Sequence, residues 1–141
     1  MKIKSKTLFQ FMLGFLLVAA VACKKDTKCT AGTGGNLTLV AYLQHHEKTI
    51  PNQGNYPDSV FVKFNTQEYP GDLPGNYDIY FVGDSGKDYV HLKNLRCGNY
   101  YLFGTAYDTT SGTTGMRVFG GRPFSTSTTS GEIGINIAVT E

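Results

Sequence analysis

Three histidines are the first residues in this chain whose type suggests chemistry. His45 and His46 are adjacent and run into Glu47, while His91 stands far along the chain. Imidazole nitrogens with a carboxylate are the donor set of zinc-class metals. The spacing works against a ready-made site. Neighbours on a strand point to opposite faces, so His45 and His46 can reach one ion only across a bend. There is no His-Glu-x-x-His pattern and no third ligand at fixed spacing. His91 alternates with Val90 and Leu92 and is expected to face away from the core. A metal site of His45, His46 and His91 is the alternative reading. The plainer one is a polar strand end entering the turn before Pro51.

The segment from Thr66 to Tyr77 is the second candidate. It is long for a connection between strands, and loops of that length are often functional. Pro70, Gly71, Pro74 and Gly75 restrict its shape and so lower the entropy lost on ordering it. Tyr69 and Tyr77 offer flat amphipathic surface, and Glu68 and Asp72 add charge. The loop is therefore a possible ligand contact, or else a rigid loop packing its own tyrosines. A third candidate is the row Tyr101, Phe103 and Tyr107. If Tyr100, Leu102, Gly104 and Ala106 face the core, this row faces outward as an aromatic platform for a protein or a glycan. Its simpler role is cross-strand packing.

Other chemistry is thinner. Asp58-Ser59-Val60 and Asp108-Thr109-Thr110 resemble the acceptor triplet of a periplasmic bacterial O-glycosylation system. Asp84-x-Gly86-x-Asp88 is too short for a calcium loop and reads as a turn. There is no Ser/His/Asp set in a recognisable context and no phosphate-cradling glycine loop, so no enzyme and no cofactor is expected. Ser125 to Ser130 reads as a flexible turn on composition.

The elements that must position these residues are strands. No helical periodicity is found after residue 36, and strand patterns recur between turn signals. They are Leu37 to Leu43, Ser59 to Phe64, Asp78 to Val82, Lys87 to Leu95, Asn99 to Asp108, Met116 to Phe124 and Gly131 to Thr140. In the last, Ile133, Ile135, Ile137 and Val139 alternate strictly, which marks a half-buried strand. Seven short strands with turns between them predict an all-β sandwich.

One motif narrows the sandwich. Leu95-Arg96-Cys97-Gly98-Asn99-Tyr100 has the form L-x-x-G-x-Y at the start of a strand. It resembles the corner of transthyretin-like and carboxypeptidase-regulatory-like (CnaB-type) sandwich domains. The resemblance implies that Gly98 turns the chain and that Tyr100 packs inward with its hydroxyl on backbone. It covers 88–108 well and 37–141 loosely, and it implies nothing about activity. An internal Lys–Asn crosslink of the CnaB kind is not expected. Asn136 sits in the last strand, but opposite the isoleucine stripe, and the first strand has no lysine.

The beginning of the chain reads as a targeting segment. Lys2, Lys4 and Lys6 precede an apolar run from Leu8 to Ala22, the pattern of a secretory signal peptide. Ala20-Val21-Ala22-Cys23 resembles the lipobox of bacterial lipoproteins, although Ala20 stands where leucine is usual. The resemblance implies cleavage after 1–22, lipidation of Cys23 and anchoring in the cell envelope, most often the outer membrane. Two or more acyl chains hold a protein stably on a bilayer. Residues 23–36 are charged and then rich in Gly and Thr, which reads as a flexible linker. The domain is expected over 37–141.

The full chain carries a formal charge of +2. Loss of residues 1–22 removes three lysines and leaves ten basic against eleven acidic residues (thirteen less three, against eleven). The basic balance thus belongs to the signal, and no nucleic-acid partner is expected. Cys29 and Cys97 remain as an even pair in an oxidising compartment, either bridged or as two thiols. The expected function is a non-catalytic binding or structural module of the envelope, with a protein or glycan partner. The alternative is a metal-binding or enzyme-accessory protein using the histidines.

Overall fold

A computed structural model describes residues 29–110 and 114–141. The expected signal peptide and Cys23 lie outside the described residues. Strand patterning produces an all-β sandwich of two packed sheets with eight strands. They are β1 (Thr33–His45), β2 (Lys48–Thr49), β3 (Ser59–Phe64), β4 (Ile79–Val82), β5 (Val90–Leu95), β6 (Gly98–Asp108), β7 (Met116–Thr126) and β8 (Ser130–Ala138). A 3₁₀ turn, Pro74–Asn76, precedes β4. Among the described residues no helix is long and apolar enough to cross a membrane.

In the first sheet β1 is central. β8 runs parallel along one edge, from Asn36 opposite Ser130 to Gln44 opposite Ala138. β5 and then β2 pair antiparallel with the other edge. The second sheet has the order β4-β3-β6-β7, all antiparallel. Alternation sorts the side chains. Leu37, Leu39, Ala41 and Leu43 of β1 meet Val60 and Val62 of β3, Tyr100, Leu102 and Ala106 of β6, and Ile135 and Ile137 of β8 in one core. Phe119 of β7 exchanges two backbone hydrogen bonds with Thr140, at 2.8 and 2.9 Å, which ties the sheets together along one side.

The structure departs from the sequence reading in two places. Among the described residues there are eight strands, not seven. The addition is the two-residue β2, which follows a tight turn and is too short to leave an alternation pattern. The fold also begins earlier than a linker ending at residue 36 would allow, since β1 starts at Thr33 and Ala31 is already buried. The glycines that looked like linker make a bulge. Leu95 pairs with both Thr33 and Leu37, and Gly34 has φ +81°. A Cβ on Gly35 would sit 2.0 Å from the Leu95 carbonyl oxygen, so only glycine lets the strands approach there.

Cys29 and Cys97 form a disulfide, with Cα atoms 5.0 Å apart. Around it the chain is held by hydrogen bonds. Ala31 N–H donates to Asn65 Oδ1 at 3.1 Å, and Arg96 N–H donates to the Gly32 carbonyl at 2.9 Å. Gly98, at φ +146°, lies against the Ala31 backbone, where a Cβ would come within 2.3 Å of its nitrogen. Tyr100 is fully buried; its hydroxyl donates to the Arg96 carbonyl and accepts from Gly32 N–H at 3.3 Å. Burial raises its pKa above the ordinary tyrosine value.

Candidate functional site

Cross-strand register decides what the outer face of the second sheet displays. Ser59, Phe61 and Lys63 of β3 stand opposite Thr105, Phe103 and Tyr101 of β6. On the next strand Thr105 pairs with Phe119, Tyr107 with Arg117, Phe103 with Gly121 and Tyr101 with Pro123. On the other side Phe61 pairs with Tyr80 and Ser59 with Val82. One face of the sandwich thus gathers aromatic side chains from four strands.

The expected open platform of Tyr101, Phe103 and Tyr107 is largely covered. Tyr101 and Phe103 point outward as alternation requires, yet they are only 9% and 5% exposed, because the 66–77 loop folds down over them. Tyr69 packs on Tyr101 and Phe103, with ring centroids 5.7 and 6.0 Å apart. Tyr77 stacks on Phe103 at 5.7 Å and leans on Phe61 at 5.8 Å. Gly121 leaves the space for Tyr101, whose ring would lie 2.7 Å from a Cβ there. The loop is also held internally. Tyr69 O–H donates to Asp72, Tyr77 O–H to the Gly71 carbonyl at 3.0 Å, and Asn76 Nδ2 to the Pro70 carbonyl at 2.8 Å. The bond to Asp72 is the largest cause that pushes the Tyr69 pKa up to about 12, and burial raises that of Tyr77. Glu68 is exposed, and its N–H donates to Thr66 Oγ1. Of the four residues proposed to touch a ligand, only Asp72 lines the concave surface that remains.

That surface is a groove of about 630 Å³ beside the covered patch. Phe61, Phe103 and Phe119 line it, with Tyr56 and Tyr107 at one side and Asp72 and Pro74 of the loop also contributing. Tyr56 and Tyr107 stack face to face, with centroids 4.7 Å apart and planes at 24°. Tyr56 is half exposed and Phe119 nearly so. Ser59, Thr105 and Arg117 supply polar atoms. An apolar concavity of this size with a few polar groups is the usual form of a small-ligand site. Tyr56, Phe61, Arg117 and Phe119 were not singled out in the sequence. Phe61 and Phe119 gain meaning only from the pairing of β3 and β7 with β6, which alternation within one strand does not reveal.

The sandwich interior at this end carries polar groups whose burial the sequence did not disclose. His45 and Asp108 are both buried, and His45 Nδ1 lies 2.7 Å from Asp108 Oδ2. The other Asp108 oxygen accepts from Thr110 N–H and Thr110 Oγ1, each at 2.7 Å. Asp58 is 1% exposed and neither carboxyl oxygen has a hydrogen-bond partner, so burial pushes its pKa up to about 7. Its own N–H donates to Asn52 Oδ1 at 2.6 Å. The acids of both glycosylation-like triplets are therefore turned inward, while the hydroxyl-bearing Ser59 and Thr109 are not buried. His91 is separated from the other histidines. It faces Val40 across the β1–β5 ladder, five residues before His45, or roughly 16 Å along the strand. It packs on Tyr89 at 4.8 Å. Asn136 is exposed, as its face opposite the isoleucines required.

No known protein family, curated protein or solved structure matches the chain.

Proposed function

We propose that this chain is a lipid-anchored, non-catalytic binding module of a bacterial cell envelope, most often the outer membrane, and that its groove takes a glycan. The observation that carries the reading is the aromatic groove itself. Phe61, Phe119 and the Tyr56–Tyr107 stack supply aromatic surface around the covered Phe103, and Asp72, Arg117, Thr105 and Ser59 stand among them. A sugar ring offers an apolar face to stack and hydroxyls to hydrogen-bond, and this lining has partners for both. The covering loop supports the reading too. It prepays the ordering of the rim, so a ligand meets a shape already formed.

The lipobox-like Ala20-Val21-Ala22-Cys23 and the lysines before it support the anchor. The fold's first described residue, Cys29, belongs to the end of the sandwich opposite the Tyr56–Tyr107 side of the groove. A lipid on Cys23 would therefore place the groove away from the bilayer. The buried, backbone-bonded Tyr100 supports the transthyretin-like corner expected from its motif.

The test is a titration of envelope and surface glycan fragments into isotope-labelled protein, followed by amide NMR. Shifts confined to the strands around Phe103 and Phe119, and at least tenfold weaker binding in Phe119→Ala, are expected. A protein partner captured through this face with no glycan response would replace the glycan reading. For the anchor, Cys23→Ala is expected to leave the membrane fraction, and retention of that variant on membranes would remove it.

A further inference from the structure

At the end of β1 the chain makes the bend that a pair of adjacent histidines needs. His46 and Glu47 form a two-residue turn between His45 and Lys48, with φ +49° and +65°. Such turns normally use Asn-Gly, since positive φ is unfavourable for other side chains. Here the left-handed turn carries the His46 ring around to its neighbour, and the two imidazole centroids lie 4.1 Å apart. The third member comes from the far end of the sequence. Glu141 follows Thr140, which the two hydrogen bonds to Phe119 fix in place. One ligand atom each from His45, His46 and Glu141 lie within 4.8 Å of one another.

We propose that His45, His46 and Glu141 bind one zinc-class divalent ion. Asp108 prepares the site. Its Oδ1 accepts two hydrogen bonds from Thr110 and its Oδ2 lies 2.7 Å from His45 Nδ1, so that as a carboxylate it accepts from His45 Nδ1–H. That fixes the tautomer and leaves the lone pair on Nε2, which hydrogen-bonds to nothing among the described residues. A carboxylate behind a histidine is the usual support of a ligating imidazole. Two imidazoles and one carboxylate suit Zn²⁺, Ni²⁺ or Cu²⁺, while Ca²⁺ and Mg²⁺ prefer all-oxygen shells. Bonds of 2.0–2.2 Å in a tetrahedron place ligand atoms ~3.3 Å apart, so the group must close by at most roughly 1.5 Å. The exposed side chains of His46 and Glu141 are free to make that movement around the fixed His45. The ion would clip the β1–β2 turn to the residue after the β7 bridge, with a further position open to water or a partner's donor. His91 takes no part.

The test is calorimetric titration of ZnCl₂ into the metal-stripped full chain, carrying no histidine tag. One equivalent is expected, with a raised melting temperature. His46→Ala and Glu141→Gln, both at exposed positions that the fold does not need, are each expected to weaken binding at least tenfold. Asp108→Asn is expected to weaken it ~10–100-fold if circular dichroism shows it folded. His91→Ala is expected to bind as the parent does. Absence of binding, or unchanged affinity in His46→Ala, overturns the site, as does loss of binding in His91→Ala alone. The groove is not involved, so a failed glycan titration leaves this result intact and the reverse holds too.

Discussion

Where the chain enters the sandwich, Cys29 is bonded to Cys97, Asn65 clasps Ala31 from both sides, and the Tyr100 hydroxyl serves Arg96 and Gly32. At the other end, roughly 40 Å away along the thirteen residues of β1, the Asp58 carboxyl is buried without a hydrogen-bond partner and His46 and Glu47 hold unfavourable backbone angles. Both ends close the same core between the same two sheets. They differ in how well their residues suit the backbone: the positive-φ positions at the first end are asparagines, Asn65 and Asn94, which tolerate that conformation, whereas His46 and Glu47 at the other do not. Unmet preferences persist only where the surroundings impose them, and they cluster at sites of function. Here they fall at the end that also holds the histidine pair and the Tyr56–Tyr107 side of the groove. The comparison teaches that one end is built to hold the fold and the other to present side chains.

The largest test of that division is to break the holding end. The disulfide spans 68 residues, and closing a loop of that size stabilises the fold by about 4 kcal/mol through the unfolded chain. Replacing both cysteines by serine, or adding reductant, is expected to lower the free energy of unfolding by roughly 2–4 kcal/mol in denaturant titrations. A loss below ~1 kcal/mol would mean that the bridge restricts the unfolded chain far less than its loop length implies.

At the presenting end the corresponding test is pH. Asp58 has its carboxyl pushed up to about 7 by burial, against ~3.9 in an unfolded chain. The folded state therefore keeps a proton that the unfolded state gives up first. The stability linked to this group is fully present below pH ~4 and is lost as pH rises through about 7. The change amounts to roughly 2–4 kcal/mol. Unfolding titrations between pH 4.5 and 8 are expected to show this decline, and Asp58→Asn is expected to remove it. If both proteins show the same slope, the carboxyl is solvated in solution and the contrast between the ends weakens.

The two ends also differ in how far the sequence disclosed them. The strands were legible because each buries one face, and period-two alternation survives in Leu37 to Leu43 and in Ile133 to Val139 whatever their partners. Tyr100 was legible because its motif is local, with Gly98 two residues before it. The presenting end is made of long-range pairings. His45 needs Asp108, 63 residues away, before it becomes a buried pair instead of a polar strand end. His91 looked as eligible a ligand as any histidine, and only the β1–β5 register moves it away. The 66–77 loop was recognised as rigid and tyrosine-rich. Which way its tyrosines turn depended on the aromatic row of β6 beneath it. Gly34 and Gly35 failed for the opposite reason: composition alone cannot separate a bulge from a linker.

The smallest expected effect sets one tyrosine from each end against the other. Tyr100→Phe removes a hydroxyl that accepts from Gly32 N–H and donates to the Arg96 carbonyl, and so strands both backbone groups near the disulfide. The expected cost is about 1–1.5 kcal/mol. Tyr107→Phe removes a hydroxyl that bonds to nothing among the described residues and keeps the ring stacked on Tyr56, so its cost is expected within ~0.5 kcal/mol. The two Tyr100 partners lie on segments that the disulfide joins, which makes the first effect conditional. With both cysteines replaced, Gly32 is free to drift and the hydroxyl loses part of its purpose. Tyr100→Phe is then expected to cost less than in the bridged protein, which is the coupling that neighbouring interactions show. An unchanged cost would mean that the hydrogen bonds hold Gly32 in place without the bridge. The disulfide would then act on the unfolded chain alone.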